Sequence, residues 1–245
     1  MMRTYLQTSR APRYSLLFAL PLLIIYQILA ALAQVGPGGM SVRNGADVIL
    51  QSVFFWLAGA WGPRLFMLCL IGVGAWLIAR DLRAHPGKLT PSILGGMLLE
   101  SICLSLVFGV VVGSLTAALL GAPPPPMVLA FSTQTLGRWT MLMLSLGAGI
   151  YEELLFRVVL VGLLAWAATK LLGLRPLAGG VVATVLGALI FSAFHYIGPY
   201  GDHLDVYSFV FRTIAGLFFS GLYLLRGFGI TAWTHALYDV FLLLR

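Results

Sequence analysis

Apolar runs about twenty residues long follow one another from Ser15 to the end of the chain, broken only by short stretches of Pro, Gly and charge. As a helix rising 1.5 Å per residue, such a run matches the hydrocarbon core of a bilayer, about 30 Å thick. Charge is correspondingly scarce. Lys and Arg number 15 and Asp and Glu 8, so 9% of the 245 residues are charged, against about 25% in soluble domains. So few charges cannot cover a water-facing surface, and a hydrophobic content of 60% excludes disorder. Two cysteines in 245 residues exclude a disulfide scaffold, and both, Cys69 and Cys103, lie inside apolar runs as small hydrophobes. The sequence predicts an all-α, polytopic transmembrane helical bundle. It forms one integral membrane domain over 1–245, with no soluble domain and no internal repeat.

Spans are predicted near 15–34, 63–80, 92–120, 150–172, 177–197, 206–226 and 228–244, about seven to eight in all. The shorter pieces 47–60 and 136–149 read as half-spans, interfacial helices or parts of a broken helix. Arg3, Arg10 and Arg13 before the first run, with Ala31 and Ala33 near its end, resemble a secretory signal. That run is nonetheless long enough to cross, and more spans follow, so a retained first helix is predicted. From Gly137 to Leu172 one helix would measure about 54 Å, which predicts a bend near Gly147-Ala148-Gly149. Pro123 to Pro126 read as a stiff loop.

The net charge of +7 does not point to nucleic acid, because the basic residues are scattered singly or in pairs at run ends. Their distribution predicts topology instead. With the N-terminus inside and 47–60 not crossing, the inner side holds Arg3, Arg10, Arg13, Arg80, Arg83, Lys88, Lys170, Arg175 and Arg226. The outer side holds Arg43, Arg64, Arg138 and Arg245. Nine against four favours an N-in, C-out chain with its N-terminus cytoplasmic. A crossing 47–60 would invert everything after it.

Ionisable residues inside apolar segments are expensive, and so are paired, cavity-facing or functional. They are Glu100, Glu152, Glu153, Arg157, His195, Arg212, His235 and Asp239. Glu153 and Arg157, four apart with Glu first, share a helix face and read as a structural ion pair. Glu152 points about 100° away and needs partners from other helices. His195 closes the 177–197 run, where a lone His is more often interfacial than catalytic. His235 and Asp239 share a face of the last run, and an Asp bonded to one ring nitrogen would orient the other. Together these residues can activate a water and stabilise an oxyanion, which points to peptide hydrolysis.

The order Glu152-Glu153-x-x-x-Arg157, then Phe191-x-x-x-His195, then His235-x-x-x-Asp239 resembles the CPBP family of CAAX prenyl endopeptidases and their bacterial relatives. The resemblance covers roughly residues 137–245, the motif-bearing half. It implies a CAAX-protease-like intramembrane glutamic protease in a bacterial inner membrane. In it Glu152 and His195 activate water, and His235 with Asp239 stabilises the oxyanion. Glu153, Arg157 and Phe191 are then supporting residues. Asp239 stands where the prenyl-processing branch usually has Asn. An ionised Asp cannot donate to an oxyanion, so Asp239 is expected to orient His235.

With the N-terminus inside, Glu152 and His195 lie toward the outer face. The expected substrate is a membrane protein or lipid-associated peptide, cut near a C-terminal sorting or anchor segment. Arg212 is expected either to hold a substrate carboxylate or to pair with Glu100. No cofactor is expected. Glu152, His195, His235 and Asp239 are possible Zn²⁺ ligands, but the chain lacks a short ligand pair such as His-x-x-x-His. A metal-dependent protease, a non-catalytic scaffold or immunity protein, and a proton-coupled transporter remain alternatives. The last would need symmetry between the halves, yet the charged motifs occupy only the second.

Overall fold

Helix starts follow local chemistry. Proline occupies the first turn of α2 (Pro12–Leu32), α4 (Gly62–Ala84), α5 (Pro91–Leu120) and α8 (Pro176–Phe194), where its missing N–H has no helical partner to lose. Asn44 and Asp205 cap α3 (Gly45–Ala58) and α9 (Val206–Arg226) through side-chain oxygens. A short α1 (Met2–Ser9) precedes these, and α10 (Phe228–Leu243) ends the fold. The structure, a computed structural model, describes residues 2–33, 42–121, 137–198 and 201–244. The Pro123–Pro126 patch and Arg245 lie outside them. All regular structure among the described residues is helical, and the chain is a polytopic bundle.

Among the described residues five helical segments are long and apolar enough to cross a membrane: Pro12–Leu32, Gly45–Ala84, Pro91–Leu120, Pro176–Phe194 and Val206–Arg226. The expected span 228–244 is the 16-residue α10. The expected span 150–172 belongs to a longer helix built from α6 (Arg138–Gly147), a π-helical stretch (Ala148–Leu160) and α7 (Val161–Lys170). The chain stays helical through Gly147 and Ala148. At the expected bend, the hydrogen bonding changes register from α to π without the helix stopping.

The piece 47–60 becomes α3, which turns back on itself. Gly59, at φ +56°, and a 3₁₀ turn over Gly59–Trp61 reverse the chain into α4. The Phe54 and Phe66 rings then meet with centroids 5.4 Å apart. On one straight helix those residues would stand about 18 Å apart.

Outward faces are apolar, as in Trp56 at 87% and Leu57 at 76% exposure, because lipid rather than water is the solvent there. Inside, α10 joins two packed clusters. Ala232 and Ala236 pack with Tyr26, Met143, Ile150 and Tyr151, whereas Ile230 packs with Phe108, Val112 and Phe219. This burial places His235 in the middle of the bundle.

Basic residues near the N-terminus and at the end of α9 gather at one end of the bundle. Arg13 lies 3.3 Å from Asp81 and donates to the His85 carbonyl, joining the start of α2 to the end of α4. Arg10 donates to the carbonyl of Leu224 near the end of α9, and Tyr14 accepts from the Thr90 N–H before α5. Arg226, expected among loop cations, is buried there. It donates from Nε and Nη2 to Glu100 (2.6 and 2.8 Å) and from Nη2 to Ser9. Tyr5 donates to the same carboxylate, and burial together with Glu100 pushes its phenol up to about 12.

Glu100 therefore does not pair with Arg212. Arg226→Ala should cost about 2–3 kcal/mol, the worth of charged hydrogen bonds. In detergent unfolding Arg226→Ala and Glu100→Ala should be strongly non-additive, while Arg212→Ala and Glu100→Ala should add. Additivity in the first pair would refute the assignment.

Candidate active site

The site is built around the π-helical stretch, a feature that recurs at functional sites. Close packing against α10 requires a glycine there. A Cβ on Gly149 would lie 2.4 Å from the Ala232 carbonyl oxygen and 2.7 Å from the Ala236 Cβ. With α10 so close, the successive carboxylates Glu152 and Glu153 serve different neighbours.

Glu153, fully buried, faces α10. Its Oε1 accepts from His235 Nδ1 at 2.6 Å, and its Oε2 lies 3.2 Å from Arg157 Nε. The expected Glu153–Arg157 pair is present, and the same carboxylate also holds His235. The Arg157 guanidinium lies 4.3 Å from the Phe191 ring centroid and 5.5 Å from that of Phe219. Its charge is therefore met by one carboxylate and two ring faces. His235 stacks on Phe219 at 4.4 Å. With Nδ1–H committed to Glu153, only Nε2 of His235 is free to act.

Glu152 faces α8 and the start of α3. Its Oε1 accepts from Asn44 Nδ2 at 2.9 Å, and its Oε2 makes no protein hydrogen bond but stands 3.8 Å from His195 Nε2. His195 Nδ1–H donates to the Phe191 carbonyl at 2.9 Å, which fixes the ring and leaves Nε2 with its lone pair toward Glu152. Two acceptors that face each other are stable only with a proton or a hydrogen-bond donor between them. Such a pair can take a proton from water.

Asp239 corrects an expectation. Its Oδ2 lies 3.8 Å from His235 Nε2, beyond hydrogen-bond reach and on the nitrogen opposite Glu153. The carboxylate orienting His235 is Glu153. Spacing of i,i+4 allows contact within α10, but the close approach of the π stretch supplies a nearer acceptor. Phe191 supports both imidazoles, with its ring centroid 4.9 Å from His195 and 6.3 Å from His235. Arg212 pairs with Asp202, from the segment between α8 and α9, and lies over Tyr196. Asp202 N–H also bonds the His195 carbonyl. Among the described residues no three His, Cys, Asp or Glu side chains converge as a metal-ligand cluster.

Sequence reasoning missed Asn44, Asp47 and Asp202. Asn44 heading an apolar run signals a helix cap, and nothing in that signal announces a carboxylate 108 residues away. Asp47 was hidden inside a short apolar piece. It is fully buried, bonded to Tyr26, Arg43 and Gln51.

Residues 133–241 match the family model described as Rce1-like, type II CAAX prenyl endopeptidase Rce1-like. All three motifs lie within that stretch, and the resemblance read from them is borne out there. No curated protein and no solved structure matches the chain.

Proposed function

We propose, from the match of residues 133–241 to the Rce1-like family model of type II CAAX prenyl endopeptidases, that the chain is an intramembrane endopeptidase in which Glu152 and His195 activate water. The observation carrying this reading is the facing pair, Glu152 Oε2 and His195 Nε2, 3.8 Å apart. Water held between them gives one proton to Glu152 as its oxygen attacks the scissile carbonyl carbon. The carbonyl π electrons move onto oxygen, and the oxyanion forms on the His235 side. When the tetrahedral intermediate collapses, the C–N bond breaks and the abstracted proton passes to the leaving amine. Products are a carboxylic acid and an amine, which at neutral pH are a carboxylate and an ammonium.

With Glu153 accepting the Nδ1 proton, His235 donates to the oxyanion from Nε2 only as the imidazolium. Glu153, together with Asp239 close to that nitrogen, offsets the imidazolium charge. Asp239→Asn should retain within about tenfold of the wild-type rate, because Glu153 still offsets the imidazolium and an amide can donate where the carboxylate cannot. Asp239→Ala should fall by about 10²-fold or more. Equal, full activity in both variants would refute a role for this position.

The substrate we propose is a membrane protein or lipid-associated peptide, cut near a C-terminal sorting or anchor segment. Arg212 stands near the start of α9 and the basic cluster at its end, and His195, facing Glu152, follows the last residue of α8 on the Arg212 side. By the positive-inside rule that basic end is cytoplasmic, so the site opens to the outer face of a bacterial inner membrane, with the N-terminus inside. Arg212 is partly exposed, with its Nη2 on Asp202 and its buried Nη1 free of a protein hydrogen bond, and would hold a substrate carboxylate only by exchanging Asp202 for it.

Comparative proteomics of membranes carrying the wild type or Glu152→Gln tests the reading. A membrane protein left uncleaved with Glu152→Gln is expected. Identical proteomes would sink the endopeptidase reading and favour a scaffold or immunity protein. Activity of the purified enzyme should survive exhaustive chelation, and its loss with recovery on Zn²⁺ would establish the metal-dependent alternative.

A further inference from the structure

The Rce1-like match starts at residue 133, yet the donor to Glu152 comes from the other half of the chain. Asn44 is held in three ways. Its backbone N–H donates to Tyr26 Oη at 3.1 Å, its Oδ1 accepts from Ala46 N–H at 2.9 Å, and its Nδ2 donates to Glu152 Oε1 at 2.9 Å. The amide orientation follows from chemistry, because Ala46 N–H requires an oxygen acceptor and so turns the NH₂ toward Glu152.

The segment beneath Asn44 is itself clamped. Asp47 accepts from Tyr26 (2.8 Å), Arg43 (2.8 Å) and Gln51 (2.6 Å). Two glycines let it approach. A Cβ on Gly147 would fall 2.7 Å from the Asn44 Cβ, and one on Gly45 would fall 3.0 Å from Phe194, the neighbour of His195. Asn44 thus reaches Glu152 beside the end of α8.

We infer that Asn44 is a positioning residue for Glu152, its amide holding Oε1 so that Oε2 is presented to His195. The inference rests on the endopeptidase reading above. Among the described residues no other hydrogen-bond donor reaches Glu152. A buried carboxylate remains ionised only when its oxygens are met by donors or charge. Without the amide, Glu152 would be free to rotate and to keep a proton, and would serve less well as a base.

Cap chemistry separates this role from a structural one. Ser and Asp both cap helices as well as Asn, but Ser lacks the amide and Asp sets a second carboxylate against Glu152. Asn44→Ser, Asn44→Asp and Glu152→Gln would be compared as full-length enzymes in proteoliposomes. The probe is a quenched fluorogenic peptide spanning the cleavage site of the protein that accumulates with Glu152→Gln. Asn44→Ser should lose about 10- to 100-fold in kcat with KM unchanged, measured well below its thermal midpoint, which the missing charged hydrogen bond lowers. Asn44→Asp should lose more, through like-charge contact.

Wild-type kcat in both Asn44 variants, with Glu152→Gln inactive, would overturn this inference and leave the endopeptidase standing. So would a kcat loss no larger than the fraction of enzyme unfolded at the assay temperature. Activity in Glu152→Gln, or no accumulating protein, would overturn the endopeptidase and this inference with it.

Discussion

Glu153→Ala is expected to destabilise the protein by about 3–5 kcal/mol and to abolish cleavage. Glu153 has no exposed surface, and Arg157 and His235 both depend on it. Removing one partner of a buried pair strands the other charge, and that stranding accounts for most of the cost. His235 loses the acceptor that fixes its tautomer at the same time. Glu153→Gln should retain an oxygen for His235 Nδ1–H while leaving Arg157 without a counter-charge, and so fall in between. Replacing both partners, with Glu153→Gln and Arg157→Met, should recover much of the stability, because two desolvation costs vanish together. Activity should not return with it. Thermal unfolding in detergent checks each step, and a wild-type midpoint for Glu153→Ala would contradict the network.

The second large effect lies at the facing pair. Glu152→Gln and His195→Ala should each lower the cleavage rate by about 10³-fold or more. General-base assistance contributes about 10²–10⁴-fold, and neither group can hold the water alone. The double variant should be little worse than either single one, because residues that act as a unit are not additive. Initial rates on the peptide probe measure this. If the single losses multiply in the double variant, Glu152 and His195 act independently and the shared-water geometry is wrong. Thermal midpoints should stay near wild type, since Glu152 receives one hydrogen bond and His195 is tied only to a backbone carbonyl.

The helices were legible because each is a local statement. Pro12, Pro91 and Pro176 mark starts, apolar length marks spans, and scarce charge makes every intramembrane carboxylate conspicuous. Glu153–Arg157 was legible for the same reason, since i,i+4 neighbours on one helix meet whatever else the chain does. The isolation of Glu152 was also visible, and with it the need for partners from other helices.

The partners themselves were not. His235 was matched with Asp239 because four residues separate them, yet Glu153, 82 residues earlier, holds the ring. Arg212 was offered Glu100 on depth, but depth says nothing of lateral neighbours, and Glu100 belongs to Arg226 across 126 residues. Asn44 went unread, and although its capping bond is local, its second hydrogen bond depends on how closely α3 approaches the π stretch. By itself the sequence determined the solvent, the helices and the set of reactive side chains, because hydropathy, capping and charge cost act within a few residues. Which nitrogen faces which oxygen was decided by helix packing alone, since a hydrogen bond is won or lost over less than an ångström and packing sets that distance.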